Sequence, residues 1–423
     1  MATDARSIIP LTHVCRYWRE SIVSAPGNWT LISSYNMGLT ALSLERSKAA
    51  PLQLRLGDSP SLRQEFRDLV TPYIQNTELL EFGGLATVDV FPQVLPDFPR
   101  SMPNLRLLKL AQQDTKLEWD PFIDPFESFP RTLRTLILYD IPLYPSFLKL
   151  GTLTKLSLHY YNAEPSLDAF LDLLQENLSL ENVDLTIDFD DFPDPVSQDR
   201  IVIMDRLQRL SITFWEAAVG RTLISCIPIR RGAHLDITFR DEEEHLGFGL
   251  SDILSGIPMT HLSNLLSPTF MFYRSSSREI RLTGPNGSFT YSHQWNPRSP
   301  FTELPVLPLT NLKDLRIMLD EPSISFHPSS FPALEIFLVQ CEADVSHLFS
   351  TLFPNPSFFP SLKTLGFLDC VITGEFMEEF DTVRLRPQDH NFGSVASRCD
   401  RWPRRGFPDC RFDSRTGEAC TGC

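Results

Sequence analysis

The chain has 423 residues, of which 42% are hydrophobic and 22% charged, a composition typical of folded proteins. Its formal net charge of −15 disfavours general binding to nucleic acid or to anionic membranes. No apolar run approaches the roughly 20 residues that span a bilayer, and the N-terminal MATDARSIIPLTH lacks a secretory signal. We therefore expect an intracellular protein, cytoplasmic or nuclear, that binds neither nucleic acid nor membrane.

The first predicted element is a short helix in the stretch THVCRYWRESIVSAPGNW, residues 12–29. Val14, Trp18 and Ile22 recur at intervals of four residues, which predicts an apolar stripe that packs into the core. Thr12 is the expected N-cap of this helix, and the Pro-Gly pair before the last tryptophan is expected to end it.

A recurring leucine phrase dominates the middle of the chain. It has the form L-x-x-L-x-L, and its opening leucines are Leu105, Leu133, Leu153, Leu180, Leu207, Leu312, Leu334 and Leu362. Most neighbouring steps are 20 to 28 residues, a period typical of leucine-rich repeats. One such unit cannot bury its apolar face alone, so the pattern predicts an α/β solenoid with a parallel sheet on its concave side. The asparagine or cysteine that usually follows the repeat strand is mostly missing.

The interval between Leu207 and Leu312 interrupts the period. HLDITF (234–239) and REIRLTG (278–284) alternate like strands and are predicted to be irregular repeats, whereas the stretch 284–300 is predicted to be a loop. A helical return is predicted at 167–178, where apolar residues have helical spacing.

The C-terminal residues 379–423 differ in character from the rest. From residue 381 onward there are eight arginines, no lysine and half of the eight cysteines, without a strand or helix period. Only Cys420 and Cys423 are close enough to form one ligand pair, and a structural zinc site usually needs two. We predict an atypical tail without a metal, either disordered or an artefact of the gene model.

The N-terminal stretch resembles part of a known family. Val14, Cys15, Arg16, Trp18 and Arg19, followed by Trp29, match the V-C-R-x-W-R pattern and later tryptophan of an F-box. The sequence GLTALSLERSKAAPLQLRL (38–56) is similar to the continuation in fungal, basidiomycete-type F-box proteins with leucine-rich tails. The family's opening L-P-x-E helix does not precede Pro10, so the F-box is expected to be truncated. The predicted organisation is an F-box-like segment (1–35), a helical bridge (36–80) and a leucine-rich solenoid (81–378).

The resemblance implies a substrate receptor of a cullin–RING ubiquitin ligase. In that family the F-box docks on a small adaptor protein, and the repeats hold the target protein. Adaptor contacts would fall on Pro10, Leu11, Val14 and Trp18, with adaptor binding expected where the native product supplies the missing first helix. The alternative is a stand-alone leucine-rich interaction module without ligase docking.

The target is expected to contact basic side chains on the concave strands. These are Arg106, Lys109, Arg134, Lys155, Arg209 and Lys313, and their charge predicts a preference for acidic partners. No nucleophile elbow, paired carboxylates, phosphate-binding loop or calcium loop is apparent in the sequence. We therefore predict a protein that is not an enzyme and that uses no cofactor or metal.

Overall fold

The computed structural model divides the chain into two compact units, Met1–Leu207 (unit 1) and Gln208–Cys423 (unit 2). The structure describes residues 9–56, 63–85, 102–112, 129–141, 143, 147, 150–160, 167–187, 200–215, 217–230, 232–240, 270–274, 279–284, 287–293, 311–319, 331–341, 360–368 and 394–398. The two units are described separately below.

In its described residues, unit 1 combines short helices with seven strands. Its described α-helices are α1 (Arg16–Ser24), α2 (Met37–Ser47), α3 (Arg63–Val70) and α4 (Leu167–Glu176). Its described strands are β1 (Leu31–Ser33), β2 (Leu52–Leu56), β3 (Thr77–Leu85), β4 (Leu107–Gln112), β5 (Thr135–Tyr139), β6 (Lys155–Tyr160) and β7 (Asn182–Ile187). Single 3-10 turns occupy Ile9–His13, Pro26–Trp29 and Thr71–Asn76.

The strands of unit 1 form a parallel sheet in which each strand pairs with the next along the chain. In β5 the buried Leu136 and Leu138 alternate with partly exposed residues. The register places Leu136 beside Leu108 of β4 and beside Leu156 of β6. Because side chains alternate between faces along a strand, one face of the sheet is a continuous leucine core. The predicted α/β fold with a parallel sheet is confirmed.

In five of the eight phrases the N–H of the opening leucine closes a tight turn before the strand by donating to the carbonyl three residues earlier. The N–H of Leu133 donates to the carbonyl of Pro130, and the N–H of Leu180 donates to that of Asn177. All eight opening leucines are buried: Leu105, Leu133, Leu153, Leu180, Leu207, Leu312, Leu334 and Leu362. The predicted alignment of the repeats on these residues is therefore confirmed.

A polar side chain directly before the opening leucine links successive coils. Thr132 Oγ1 donates a hydrogen bond shared between the carbonyls of Pro103 (2.8 Å) and Leu105 (2.9 Å) in the preceding coil. Equivalent bonds are Asn104 Nδ2 to Gln75 O (2.9 Å), Thr152 Oγ1 to Leu133 O (2.8 Å), Ser179 Oγ to Leu153 O (2.7 Å) and, in unit 2, Ser361 Oγ to Pro332 O (2.9 Å). This polar ladder satisfies turn carbonyls, the role expected of the missing asparagine or cysteine.

Replacing Thr132 with valine removes one link of the polar ladder and keeps the shape of the side chain. We expect the free energy of unfolding to fall by about 0.5–1.5 kcal/mol, since a net intramolecular hydrogen bond is lost. Urea denaturation followed by far-UV circular dichroism measures the change. The control is Thr135→Val on β5, because the hydroxyl of Thr135 has no hydrogen-bond partner among the described residues. Equal losses in the two variants would contradict the role of the ladder.

The helical return predicted for 167–178 is confirmed as α4. Leu167, Phe170 and Leu174 are among its buried side chains, which give the helix a buried apolar face. On its other side, Arg200 donates to Asp172 and lies 3.3 Å from Asp168. The hydrogen bond to Asp172 is the largest cause that raises the pKa of Arg200. None of the helices in the described part of the chain is long and apolar enough to cross a membrane.

The segment 36–80, predicted to be a helical bridge, contains a strand as well as helices. Besides α2 and α3 it contains β2, and the parallel sheet already begins at β1. LQLRL (52–56) alternates buried and less buried residues, the pattern of a half-buried strand. The sheet therefore includes strands, such as β2, whose sequences lack the full leucine phrase.

Unit 2 continues the same kind of strand with one change of order. Its described elements are α5 (Ala217–Cys226) and strands β8 (Arg209–Phe214), β9 (His234–Phe239), β10 (Phe270–Arg274), β11 (Glu279–Gly284), β12 (Gly287–His293), β13 (Asp314–Leu319), β14 (Ile336–Cys341), β15 (Thr364–Leu368) and β16 (Ser394–Arg398). Their order in the sheet is β8-β9-β12-β11-β10-β13-β14-β15-β16.

The strands β10 to β12 form an inserted meander. Strand β11 is antiparallel to both β10 and β12, whereas β12 is parallel to β9 and β10 is parallel to β13. The loop predicted for 284–300 is therefore wrong over Gly287–His293, where β12 buries Phe289 and Tyr291. The strands predicted at 234–239 and 278–284 are confirmed as β9 and β11, but β11 belongs to the meander and not to a repeat.

One strand lies within the predicted C-terminal tail. Strand β16 pairs in parallel with β15, from Thr364 opposite Ser394 to Leu368 opposite Arg398. The remainder of residues 379–423, including the four tail cysteines, lies outside the described residues. The predictions of disorder and of no zinc there stay predictions.

Candidate binding surfaces

The strand residues of unit 1 that alternate with the buried leucines form the outward face, on β2 to β7. This face is built by the two-residue period of the strands, which turns every second side chain away from the core. Parallel register then places equivalent positions of neighbouring strands in rows. The outward face is therefore a set of polar and aromatic rows supported by the leucine core.

One row carries three charged side chains across β2, β3 and β4. Arg55 is in register with Glu81, and Glu81 with Lys109. Glu81 Oε2 lies 2.9 Å from Arg55 Nε, and Glu81 Oε1 lies 2.7 Å from Lys109 Nζ. Two cations share one carboxylate, so the group keeps a net positive charge.

The adjacent row carries a pair of stacked rings. Tyr139 of β5 and His159 of β6 are in register, with ring centroids 4.4 Å apart and an interplanar angle of 8°. Lys109 Nζ lies 5.4 Å from the centroid of the Tyr139 ring. Cross-strand ring pairs restrict each other's side-chain rotamers. Tyr139 and His159 are thus a preorganised aromatic pair on a half-buried surface.

A chain of hydrogen bonds holds His159 from both sides. Ser157 Oγ lies 3.3 Å from Asp184 Oδ2 and 2.8 Å from His159 Nε2, while His159 Nδ1 lies 3.0 Å from Thr186 Oγ1. The Asp184 carboxylate accepts, so we assign Ser157 as its donor and His159 Nε2–H as the donor to Ser157. His159 Nδ1 then accepts from the hydroxyl of Thr186.

Burial is the largest cause that lowers the pKa of His159 below its ordinary value. The charges of Asp184 and Asp140 oppose this shift, and that of Lys109 adds to it. His159 is therefore neutral at pH 7, as the hydrogen-bond assignment requires.

The same hydrogen bonds argue against Ser157 as a catalytic nucleophile. A serine nucleophile gives its proton to the histidine, and an acid orients that histidine from its other nitrogen. Here Ser157 directs its proton at Asp184, and His159 Nδ1 contacts Thr186. The geometry of this cluster is that of a structural network, and the prediction that the protein is not an enzyme stays a prediction.

The structure places the six predicted target-binding residues on or beside strands of both units. Lys109, Lys155 and Arg209 lie in β4, β6 and β8, while Arg106, Arg134 and Lys313 directly precede β4, β5 and β13. Four have carboxylate partners on or directly before neighbouring strands: Lys109 with Glu81 (2.7 Å), Arg106 with Glu78 (3.3 Å), Arg209 with Asp236 (2.6 Å) and Lys313 with Glu335 (3.5 Å). Most of the expected positive charge is therefore matched locally.

Two of the six are not neutralised in this way. Arg134 Nη1 donates to backbone carbonyls, including that of Thr152 at 3.0 Å. Lys155 is exposed and forms no ion pair with any described residue. The predicted preference for acidic partners would rest on these two side chains, and it stays a prediction.

The N-terminal segment differs from its predicted packing. Val14 is 62% exposed and Trp18 45%, and α1 has no buried residue, so the predicted core stripe is wrong. The helix begins at Arg16 with Cys15 as its N-cap, whereas Thr12 lies in the preceding 3-10 turn and donates to the carbonyl of Ile9. With so short a helix, spacing alone did not indicate whether the rest of the chain covers its apolar side. The predicted end of the helix before Pro26 is confirmed.

The exposed residues define an N-terminal apolar patch. It consists of Ile9, Leu11, Val14, Tyr17 and Trp18, and the predicted adaptor-binding Pro10 is exposed beside them. Large apolar side chains grouped on a surface are typical of protein interaction sites. The four predicted adaptor-binding residues are thus all accessible.

Trp29 anchors this patch to the folded part of unit 1. It is 1% exposed, and its Nε1–H donates to the carbonyl of Ile22 at 3.1 Å. The guanidinium of Arg46 on α2 lies 4.4 Å from the centroid of the Trp29 ring. Of the two tryptophans in the F-box-like motif, one is core and the other is surface.

A pocket of about 310 Å³ lies in unit 1 where β2 to β5 begin. Its polar lining includes Asn104 and Thr132, which form links of the polar ladder, and the ion pair of Arg106 with Glu78. Asn104 and Thr132 donate to backbone carbonyls, Arg106 pairs with Glu78, and we assign no ligand to the pocket. No group of three or more His, Cys, Asp or Glu residues in the described ranges has the arrangement of a metal site.

Sequence reasoning did not single out Tyr139, His159 or Asp184. Tyr139 and His159 follow the last leucine of their phrases, and Asp184 lies between the buried Val183 and Leu185. Their outward direction follows from the two-residue period once the leucines are known to be buried. The contacts among them depend on the register of three strands, which the sequence does not specify.

No family model and no curated protein matches the chain. A solved leucine-rich-repeat protein of Leptospira interrogans is similar to the chain at 12% identity, covering 84% of this chain and 91% of that protein with a TM-score of 0.32. At that score the likeness carries no argument, and the fold description rests on the strand pairing given above. The F-box and fungal assignments remain predictions.

Proposed function

We propose that this protein is the substrate-recognition subunit of a cullin–RING ubiquitin ligase of the F-box type. The N-terminal apolar patch would dock on the ligase adaptor, and the outward face would hold a target protein. The main support is the exposure of Val14 and Trp18 within the V-C-R-x-W-R motif. A folded protein rarely exposes such side chains together unless they meet a partner.

The two surfaces would have different roles in this function. A receptor of this kind performs no chemistry; it raises the effective concentration of target lysines near a bound ubiquitin-conjugating enzyme. The outward face offers what target binding requires, namely preorganised aromatic and charged side chains on rigid strands. The ligase role would place the protein in the cytoplasm or nucleus.

The adaptor is tested by direct binding. The purified full chain is titrated with the F-box-binding adaptor by isothermal titration calorimetry, and a complex is expected. Trp18→Ala should weaken it by roughly tenfold or more, as expected for an interface hot spot. The matched control is Tyr35→Ala, because Tyr35 is an aromatic residue of unit 1 that is 67% exposed and lies outside the motif.

Two outcomes would contradict the proposal in different ways. Adaptor binding that is equally strong in Trp18→Ala and in Val14→Asp would place the docking surface elsewhere. No binding of the unaltered chain would favour the stand-alone interaction module. That alternative is consistent with the outward face, whose network involves no residue of the N-terminal patch.

A further inference from the structure

Lys155 and Asp184 are two unmatched charges at the centre of the outward face. Lys155 is in register with Asn182, and Ser157 with Asp184, so the two charges lie on neighbouring strands one row apart. A long side chain can reach across such a diagonal, as Arg209 does to Asp236 at 2.6 Å, but Lys155 does not pair with Asp184. Neither residue forms an ion pair with any described residue.

The charged side chains on or beside β2 to β4, by contrast, form ion pairs with one another. Arg55 and Lys109 share Glu81, and Arg106 pairs with Glu78. Asp184 has one described hydrogen-bond donor, Ser157, at a distance of 3.3 Å. Its carboxylate therefore retains capacity for a further, charged donor.

The aromatic pair lies one row beyond Asp184. Along β6 the outward positions are Lys155, Ser157 and His159. Ser157 is in register with Asp184 of β7, and His159 is in register with Tyr139 of β5, on which it stacks. Successive outward positions of a strand are about 7 Å apart, which is also the same-side spacing in an extended peptide. Three chemically different positions therefore follow one another at the spacing of an extended chain.

We propose that this row of the outward face binds an extended segment of the target with the pattern acidic-x-basic-x-apolar, in either chain direction. The acidic side chain pairs with Lys155, supported by the nearby guanidinium of Arg134. The basic side chain pairs with Asp184, and the apolar side chain packs against the edges of Tyr139 and His159. This proposal rests on the proposed target-binding function and specifies the partner's chemistry.

Charge complementarity favours this occupant over a uniformly acidic one. A purely acidic segment would pair with Lys155 but would bring like charge to Asp184, and both Asp184 and Asp140 already place negative charge near His159. A segment of alternating charge satisfies both unmatched groups. The sequence predicted a preference for acidic partners. The proposal restricts this preference to one position of the bound segment, the one that pairs with Lys155.

The test uses a phage-displayed library of random peptides panned against the purified full chain. The expected result is enrichment of peptides with an acidic and a basic residue two positions apart. Asp184→Asn keeps the acceptor for Ser157 but removes the charge, so it should remove selection for the basic residue and weaken the enriched peptides by roughly tenfold. Lys155→Gln should remove selection for the acidic residue.

The matched controls are Glu176→Gln on the exposed side of α4 and Lys48→Gln after α2, which should leave the enrichment unchanged. Thermal unfolding of every variant checks that the fold is retained. Enriched peptides that bind the Asp184 and Lys155 variants as well as the unaltered chain would overturn the site while leaving target binding by this protein intact. An absence of any enriched peptide would overturn both this site and the target-binding part of the proposed function, whereas adaptor titration tests the ligase part separately.

Discussion

Replacing Trp29 with alanine is expected to lower the free energy of unfolding by about 3–5 kcal/mol. The side chain is 1% exposed, so its removal leaves a cavity between the N-terminal segment and α2. It also removes the hydrogen bond to the carbonyl of Ile22 and the contact with the Arg46 guanidinium. Guanidinium denaturation followed by far-UV circular dichroism measures the change as a lower denaturant concentration at the unfolding midpoint.

Trp18→Ala is the matched control, because it removes the same side chain from the same motif. Trp18 is 45% exposed, and we expect its loss to cost less than about 1 kcal/mol. Similar destabilisation by the two substitutions would mean that α1 is packed into the core, as the sequence pattern predicted. The contrast thus decides whether Trp18 is free to serve as a docking residue.

Gly220→Ala is expected to destabilise unit 2 by about 1–3 kcal/mol. A Cβ at this position of α5 would lie 2.1 to 2.5 Å from ring atoms of Phe214. Phe214 is fully buried on β8 and packs against Phe239, with ring centroids 5.6 Å apart, so the ring has little room to move. Differential scanning calorimetry should show a lower midpoint for the transition of this unit.

Gly38→Ala on α2 is expected to have the opposite effect and to increase stability. Its nearest neighbour would be Asn36 Oδ1 at 3.6 Å, an ordinary contact, so the helix should be stabilised by about 0.5–1 kcal/mol. The double variant Phe214→Leu/Gly220→Ala separates the clash from other effects, because the smaller side chain should relieve part of the loss. Additive losses in that double variant would refute the steric explanation.

The repeat core was predictable from the sequence because one physical rule determines it. Leucines spaced L-x-x-L-x-L can be buried together only if neighbouring strands share their register, and all eight opening leucines are buried. The polar ladder was also encoded, by Asn104, Thr132, Thr152 and Ser179 before those leucines. It was overlooked because the expected asparagine position follows the strand.

The candidate surfaces were less predictable, for two different reasons. Lys109 was predicted to contact the target, and its pairing with Glu81 depends on a residue 28 positions away in the chain. Val14 and Trp18 were expected to be buried because helical spacing describes which residues share a side, not what covers that side. The register between neighbouring strands, and which residues cover a helix face, both depend on several repeats at once. The sequence of a single repeat does not specify either.

The inserted meander of unit 2 implies a rule for how such a sheet can change in length. Strands β9 and β13 point in the same direction, and the three strands between them alternate, so β12 and β10 can each join a parallel neighbour. An even number of alternating strands in that position would leave one junction antiparallel and invert the coils that follow. Insertions beside a repeat strand are therefore compatible with the downstream coils when they arrive as whole hairpins, two strands at a time. Related chains that gain or lose material here are expected to differ by pairs of strands, with the polarity of the later repeats unchanged.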